Sequence, residues 1–487
     1  MSARPGTPAP HAAPHASPHG QHGPHGQHGD PAAEVLEPPE QKRVLIVLAL
    51  SQTLSGAGLA AGITVGALLA EEMLGSTGLA GLPAALFTGG AALGAVGIGR
   101  VCQRWGRRPG LTAGYATAGL GSLGVVAAAG LGSVWLLFLS LLVYGAGTAT
   151  TLMARYAGAD LAAPTRRGRA VSLVLFATTL GAVIGPNLVG VTGEVAHGLG
   201  VPRLAGPFLL AVVAYAAAAV VLGLFLRPDP LHLARRLAET EEQAKEASAE
   251  AEAAKEASET AEADGVAAAA PAARADTRKL VTGAAVMTFT QLVMIAIMTM
   301  TPVHMRAHGH ATETAGLVIA LHVAAMYLPS PLTGMLVDRI GRLRVAAASG
   351  VVLLAAGVLA ALAPAHSVPA LATALVLLGI GWNFGLVSGT AIVTDAVPLA
   401  TRASTQGLVD VGIAVAGATG GMASGLVVAT GGYSTLALGG GIVALGLVPL
   451  LVLSGRGGRE ERGDRTGTGA GADARAGAGT SAPGEQT

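Results

Sequence analysis

Several things are scarce in this chain, and each scarcity removes a class of protein. There is one cysteine, Cys102, which rules out an internal disulfide and a cluster of thiolates. Charged residues are 12% of the 487, about half the share found in a soluble domain. Aromatics are 3%, so any Trp/Tyr belt at a membrane interface is thin. The formal net charge is +1 and no basic face accumulates, which argues against a nucleic-acid partner. No glycine loop precedes a Lys-Ser/Thr pair, so ATP is not expected as a partner. No nucleophile–base set appears, so no enzyme activity and no cofactor are expected. The first forty residues lack the apolar core of a cleavable signal peptide.

Apolar residues are plentiful. They make up 51% of the chain, and the mean hydropathy is +0.57. Apolar runs fall at 43–70, 79–98, 111–131, 134–152, 170–191 and 206–226, then at 280–303, 314–337, 345–362, 370–394, 407–428 and 436–453. Each approaches or exceeds the ~20 residues that cross ~30 Å of hydrocarbon as a helix. Lipid offers no partner to an open strand edge, so helix is the required conformation. The expected fold is an all-α membrane protein of twelve transmembrane helices.

Arginine marks alternate connections: Arg100, Arg104, Arg107 and Arg108; Arg166, Arg167 and Arg169; Arg339, Arg342 and Arg344; and Arg402. The positive-inside rule then predicts both termini in the cytoplasm, and the expected location is the inner membrane. Outside the bilayer fall a His-bearing tail at 1–42, a Glu/Ala/Lys-rich linker at 228–278 and a polar tail at 455–487. The six tail histidines, His11 to His28, recur every three or four residues. They form a candidate metal sink or a low-complexity extension without a role.

One spacing recurs. Gly99, Gln103, Arg104, Gly106 and Arg107 align with Gly334, Asp338, Arg339, Gly341 and Arg342 at an offset of 235 residues. The same offset relates Asp160 to Asp395, Gly185 to Gly420 and Gly190 to Gly425. It predicts two pseudo-symmetric six-helix bundles at 43–227 and 279–454.

The Gly-x-x-x-Asp-Arg-x-Gly-Arg pattern resembles the signature loop of the major facilitator superfamily. That resemblance implies a secondary transporter working by alternating access, with the loop as a conformational latch. Asp338 supplies the acidic residue in the second copy. Gln103 stands in its place in the first and leaves that copy without the charge.

Substrate candidates come from the seventh and eighth spans. Met294 and Met298 are four residues apart, as are His322 and Met326, so each pair shares a helix face. Both pairs lie roughly 12–14 Å inside by helical rise. Thioethers with one imidazole favour Cu(I). The combination resembles the copper importers that supply cytochrome oxidase assembly, which implies copper as substrate rather than cofactor. The plainer reading is that methionine fills helix interfaces and the substrate is an organic solute.

A second resemblance points elsewhere. Gly181, Gly185, Pro186 and Gly190 are similar to the Gly-Pro signature of proton-coupled exporters. That implies a drug or small-solute antiporter, with Asp410 and Arg155 as candidate coupling groups. A non-transporting sensor or scaffold has only the tails to recommend it.

Overall fold

A computed structural model describes residues 38–74, 82–259 and 276–446. The N-terminal tail as far as residue 37, the linker over 260–275, the end of the last expected span and the C-terminal tail lie outside the described residues. Among the described residues the structure is helical and contains no strand.

The first half comprises α1 (Glu40–Leu74), α2 (Leu82–Trp105), α3 (Arg107–Leu131), α4 (Val134–Ala159), α5 (Arg167–Asn187), α6 (Val189–Gly198) and α7 (Gly206–Phe225). A long helix, α8 (Pro230–Glu259), follows. The second half comprises α9 (Thr277–Ala307), α10 (Thr312–Tyr327), α11 (Ser330–Ile340), α12 (Arg342–Leu362), α13 (Val368–Ala396) and α14 (Arg402–Leu445). Ten stretches among the described residues are long and apolar enough to cross a membrane.

Four expected spans depart from single straight helices. The span expected at 170–191 breaks at Leu188, between α5 and α6. Pro186 has no N–H for the helical ladder, and Leu188 N instead closes a tight turn on Gly185 O at 3.0 Å. The span expected at 314–337 breaks between Tyr327 and Ser330, at a site with prolines at 329 and 331. Asn383 on α13 bridges this break, donating from Nδ2 to Met326 O and Ser330 Oγ, both at 2.7 Å. The last two spans form the single element α14, interrupted by Gly432 at φ 79°. Along α9 from Gln291 to Thr299, the helix meets Gly417, Gly421 and Ser424 in turn. Gly440 then lies back beside Val293 and Ile297, so the chain has reversed at Gly432 without a loop.

Glycine governs how closely the helices pack. A Cβ on Gly94 would lie 1.9 Å from Ala146 O of α4, and one on Gly181 would lie 2.0 Å from Thr53 O of α1. Such contacts require glycine and bring the helix backbones together, which is how transmembrane helices gain packing in lipid.

Candidate functional site

The two halves meet through a set of contacts at the arginine-bearing end. Gly106 (φ 97°) and Gly341 (φ 99°) turn the chain between α2 and α3 and between α11 and α12. These left-handed conformations favour glycine. The Asp338 carboxylate accepts from Gly168 N at 2.9 Å and Arg169 N at 3.0 Å, at the first turn of α5 in the other half. Gln103 Oε1 accepts from Ala403 N at 2.8 Å and Ser404 N at 3.4 Å, at the first turn of α14. Each pair of acceptor and donors maps onto the other by the 235-residue offset.

The first copy therefore makes the same cross-half contact with a neutral amide. Loss of the charge leaves the hydrogen bonds in place, because a helix N-terminus offers free N–H groups to any acceptor. Gly99 and Gly334 make room for this approach. A Cβ on Gly334 would stand 2.6 Å from Gly168 O, and one on Gly99 would stand 3.1 Å from Ala403 O.

A belt of ion pairs lies next to these contacts. Arg107 is fully buried and donates from Nε to Asp160 Oδ2 at 2.7 Å. Its Nη2 reaches Gln406 Oε1 across the halves. Asp395 pairs with Arg167 of the first half and with Arg342. Arg402 lies 4.0 Å from Asp160. These groups also exchange under the 235-residue offset. Arg104 and Arg339 are exposed at the same end.

Deeper in, Arg155 of α4 and Asp410 of α14 form a buried pair across the interface, Nη2 to Oδ1 at 2.7 Å. Arg155 Nε donates to Thr390 Oγ1 at 2.9 Å, and Nη2 donates to Tyr156 OH at 3.0 Å. Tyr156 OH in turn donates to Asp410 Oδ1 at 3.3 Å. Asp410 Oδ2 is buried and has no hydrogen-bond partner. Nearby on the second half, Trp382 donates to Gln291 Oε1 at 2.7 Å, and the Tyr327 ring stands edge-on to Trp382 at 5.5 Å.

The methionine–histidine set is less convergent than its spacing suggests. Met294 and Met326 are buried in the apolar core of the second half, and Met298 packs against that core half-buried. His322 is fully buried, with Nδ1 2.7 Å from Leu375 O of α13 and Nε2 unpartnered. α10 packs chiefly on α13 and touches α9 only lightly. The level estimated from helical rise ignores which neighbour a face meets, and here α13 takes the His322 face. No group of three or more His, Cys, Asp or Glu suited to a metal ion occurs among the described residues.

In the Gly-Pro segment, Gly181 and Gly185 press on the α1 backbone, and Gly190 faces open space. Sequence reading passed over Tyr156, Thr390 and Gln406. Thr390 had a signal, because it is the 235-offset mate of Arg155.

Two related helical halves, joined by buried charges across their interface, define a polytopic transport protein. The Major Facilitator Superfamily pattern matches residues 48–310 and 282–480. The MFS-type transporter YdeG of Bacillus subtilis is 54% identical over 85% of this chain and 92% of its own. The riboflavin transporter RfnT of Brucella anthropi is 30% identical over 84% of this chain and 96% of its own. Among solved structures, the human organic anion transporter MFSD10 matches with a TM-score of 0.65 at 16% identity, over 85% of this chain and all of that one. The chain belongs to the Major Facilitator Superfamily. It is a multi-pass membrane transporter and not an enzyme.

Proposed function

We propose that this protein is a secondary active transporter of a small organic solute, working by alternating access and coupled to protons at Asp410. The carrying observation is the buried Arg155–Asp410 pair, which joins the halves while leaving Asp410 Oδ2 unsatisfied. A carboxylate in this position attracts Arg155 by on the order of 4 kcal/mol at an effective dielectric constant of about 20, before desolvation is counted. Protonation removes that attraction and frees the halves to separate. One proton thus changes the balance between two arrangements.

The arginine-bearing end is the cytoplasmic side in this reading, which places both termini in the cytoplasm. The exchanged helix caps act as a latch there, holding the cytoplasmic side closed. Riboflavin is the first solute to try, because RfnT transports it. Tyr327, half-buried and packed edge-on to the buried Trp382, offers a flat surface for an aromatic ring system.

The test uses proteoliposomes carrying the wild type or Asp410→Asn, with labelled riboflavin and an imposed proton gradient. Gradient-driven movement in the wild type, lost in the variant while membrane insertion persists, supports the reading. Equal gradient dependence in both defeats the coupling role. No riboflavin movement in either leaves another organic solute to be sought and removes this one.

Copper import is the second reading, and the observation favouring it is the unpartnered His322 Nε2 within the core that holds Met294 and Met326. Whole-cell copper uptake decides it. Copper import requires His322→Leu and Met294→Leu to abolish uptake, and unchanged uptake in both removes copper.

A further inference from the structure

A pocket of about 560 Å³ opens at the arginine-bearing end of the first half, lined by Trp105, Arg108, Gly223, Asp229 and His232 among others. Three segments build it: Trp105 and Arg108 at the junction of α2 and α3, Gly223 near the end of α7, and Asp229 with His232 at the start of α8. Nothing in the transport reading uses this pocket.

Its depth follows from α3, whose 25 residues span ~37 Å. Trp105 and Trp135 stand at opposite ends of that helix, 55% and 84% exposed. Indole rings concentrate at the headgroup level of a bilayer. The pocket beside Trp105 therefore lies where hydrocarbon gives way to headgroups.

The lining holds one arginine, Arg108, and one acid, Asp229, and a second arginine, Arg104, stands against the lining Trp105. The Arg104 guanidinium carbon stands 5.2 Å from the ring centroid of Trp105, which lines the pocket. Arg108 uses Nε on Gly223 O at 2.8 Å, which leaves its two terminal nitrogens as donors. The one acid, Asp229, is already committed. Its Oδ2 accepts from Arg108 N at 2.7 Å, and its Oδ1 accepts from Leu231 N and His232 N at 3.0 and 3.2 Å. On α7, Val220 lies about one turn deeper than Gly223 and Leu224 and Phe225 flank it, and all three present exposed apolar surface.

We propose that this pocket binds the phosphodiester headgroup of an anionic phospholipid. The phosphate oxygens accept from Arg108 and His232 under the field of Arg104, and the acyl chains lie along the apolar flank of α7. Arginine suits this task because its planar fork matches phosphate geometry. The apolar flank selects a lipid over a soluble phosphate.

The experiment titrates the full chain in neutral detergent with dioleoyl-phosphatidylglycerol, dioleoyl-phosphatidylcholine or inorganic phosphate, and reads bound species by native mass spectrometry. The expected result is one saturable phosphatidylglycerol, phosphatidylcholine at least ~10-fold weaker, and no competition from phosphate. Near a membrane surface each Lys or Arg contributes about 1 kcal/mol, or about five-fold in affinity. Arg104→Gln should weaken phosphatidylglycerol by about that factor, and His232→Phe, which removes the imidazole donor, should weaken it as well, in samples that remain monodisperse. Arg108→Gln is less clean, because Arg108 also ties α3 to α7. Equal binding of the two lipids, unchanged affinity in both variants, or displacement by inorganic phosphate would each overturn the proposal.

Discussion

Asp338 and Gln103 perform the same contact with different chemistry, and the difference has a measurable size. Hydrogen bonds to a charged acceptor contribute about 1.5–3 kcal/mol, and neutral ones about 0.5–1.5. Asp338→Ala should therefore weaken closure of the arginine-bearing end by about 1 kcal/mol more than Gln103→Ala, a roughly five-fold larger open fraction. Spin labels at Arg100→Cys and Arg344→Cys, both exposed positions in different halves, report that fraction as a distance distribution. Because Cys102 is buried, these labels meet little competing background. Another residue-scale expectation concerns Asp276, which caps α9 by accepting from Lys279 N at 3.0 Å. Hydrogen bonding and ion pairing with Lys279 hold its carboxyl below the ordinary value. The capping contribution is then complete above the ordinary carboxylate range and is lost as pH falls through the depressed value. Asp276→Ala should cost about 1 kcal/mol at neutral pH. That difference should shrink in strong acid, as followed by thermal unfolding in detergent. Much at this scale could not be read in advance. The 235-residue offset pointed to Asp338, Asp160 and Asp395, but no pattern marks the carbonyl of Leu375 as the partner of His322. Gln103 lacks the charge of the pattern, yet a helix N-terminus asks only for an acceptor.

At the scale of elements, the glycines of α5 separate into two kinds. Gly181→Ala should force α1 and α5 apart and cost about 1–3 kcal/mol, the usual range for overpacking. Gly190→Ala meets open space and should be neutral or slightly stabilising, by helix propensity. Melting temperatures of the two variants in the same detergent make the comparison. The Gly-Pro segment was legible as a helix with a disturbance, but which glycine bears on a neighbour depends on the rotation of α5 against α1. Apolar run length located the crossings well, since lipid imposes that length. It did not show that two spans break at prolines or that two others join at Gly432. Those outcomes follow from local backbone chemistry that averages out over a long apolar window.

Across the whole molecule, the cross-half hydrogen bonds and ion pairs described above lie between the Arg155–Asp410 level and the arginine-bearing end. At the other end α6 packs on α5, α7 and the turn at 203–205, all within its own half. The described arrangement is thus held together at one end, and the duplicated contacts are its clasp. If alternating access is correct, opening that end must close the other. The direct measurement uses two label pairs in reconstituted protein: Arg100→Cys with Arg344→Cys at the arginine-bearing end, and Leu199→Cys with Leu362→Cys, both exposed, at the opposite end. The account expects Asp338→Ala to lengthen the first distance and shorten the second in the same population of molecules. Two distances that stay fixed, or lengthen together, would contradict it.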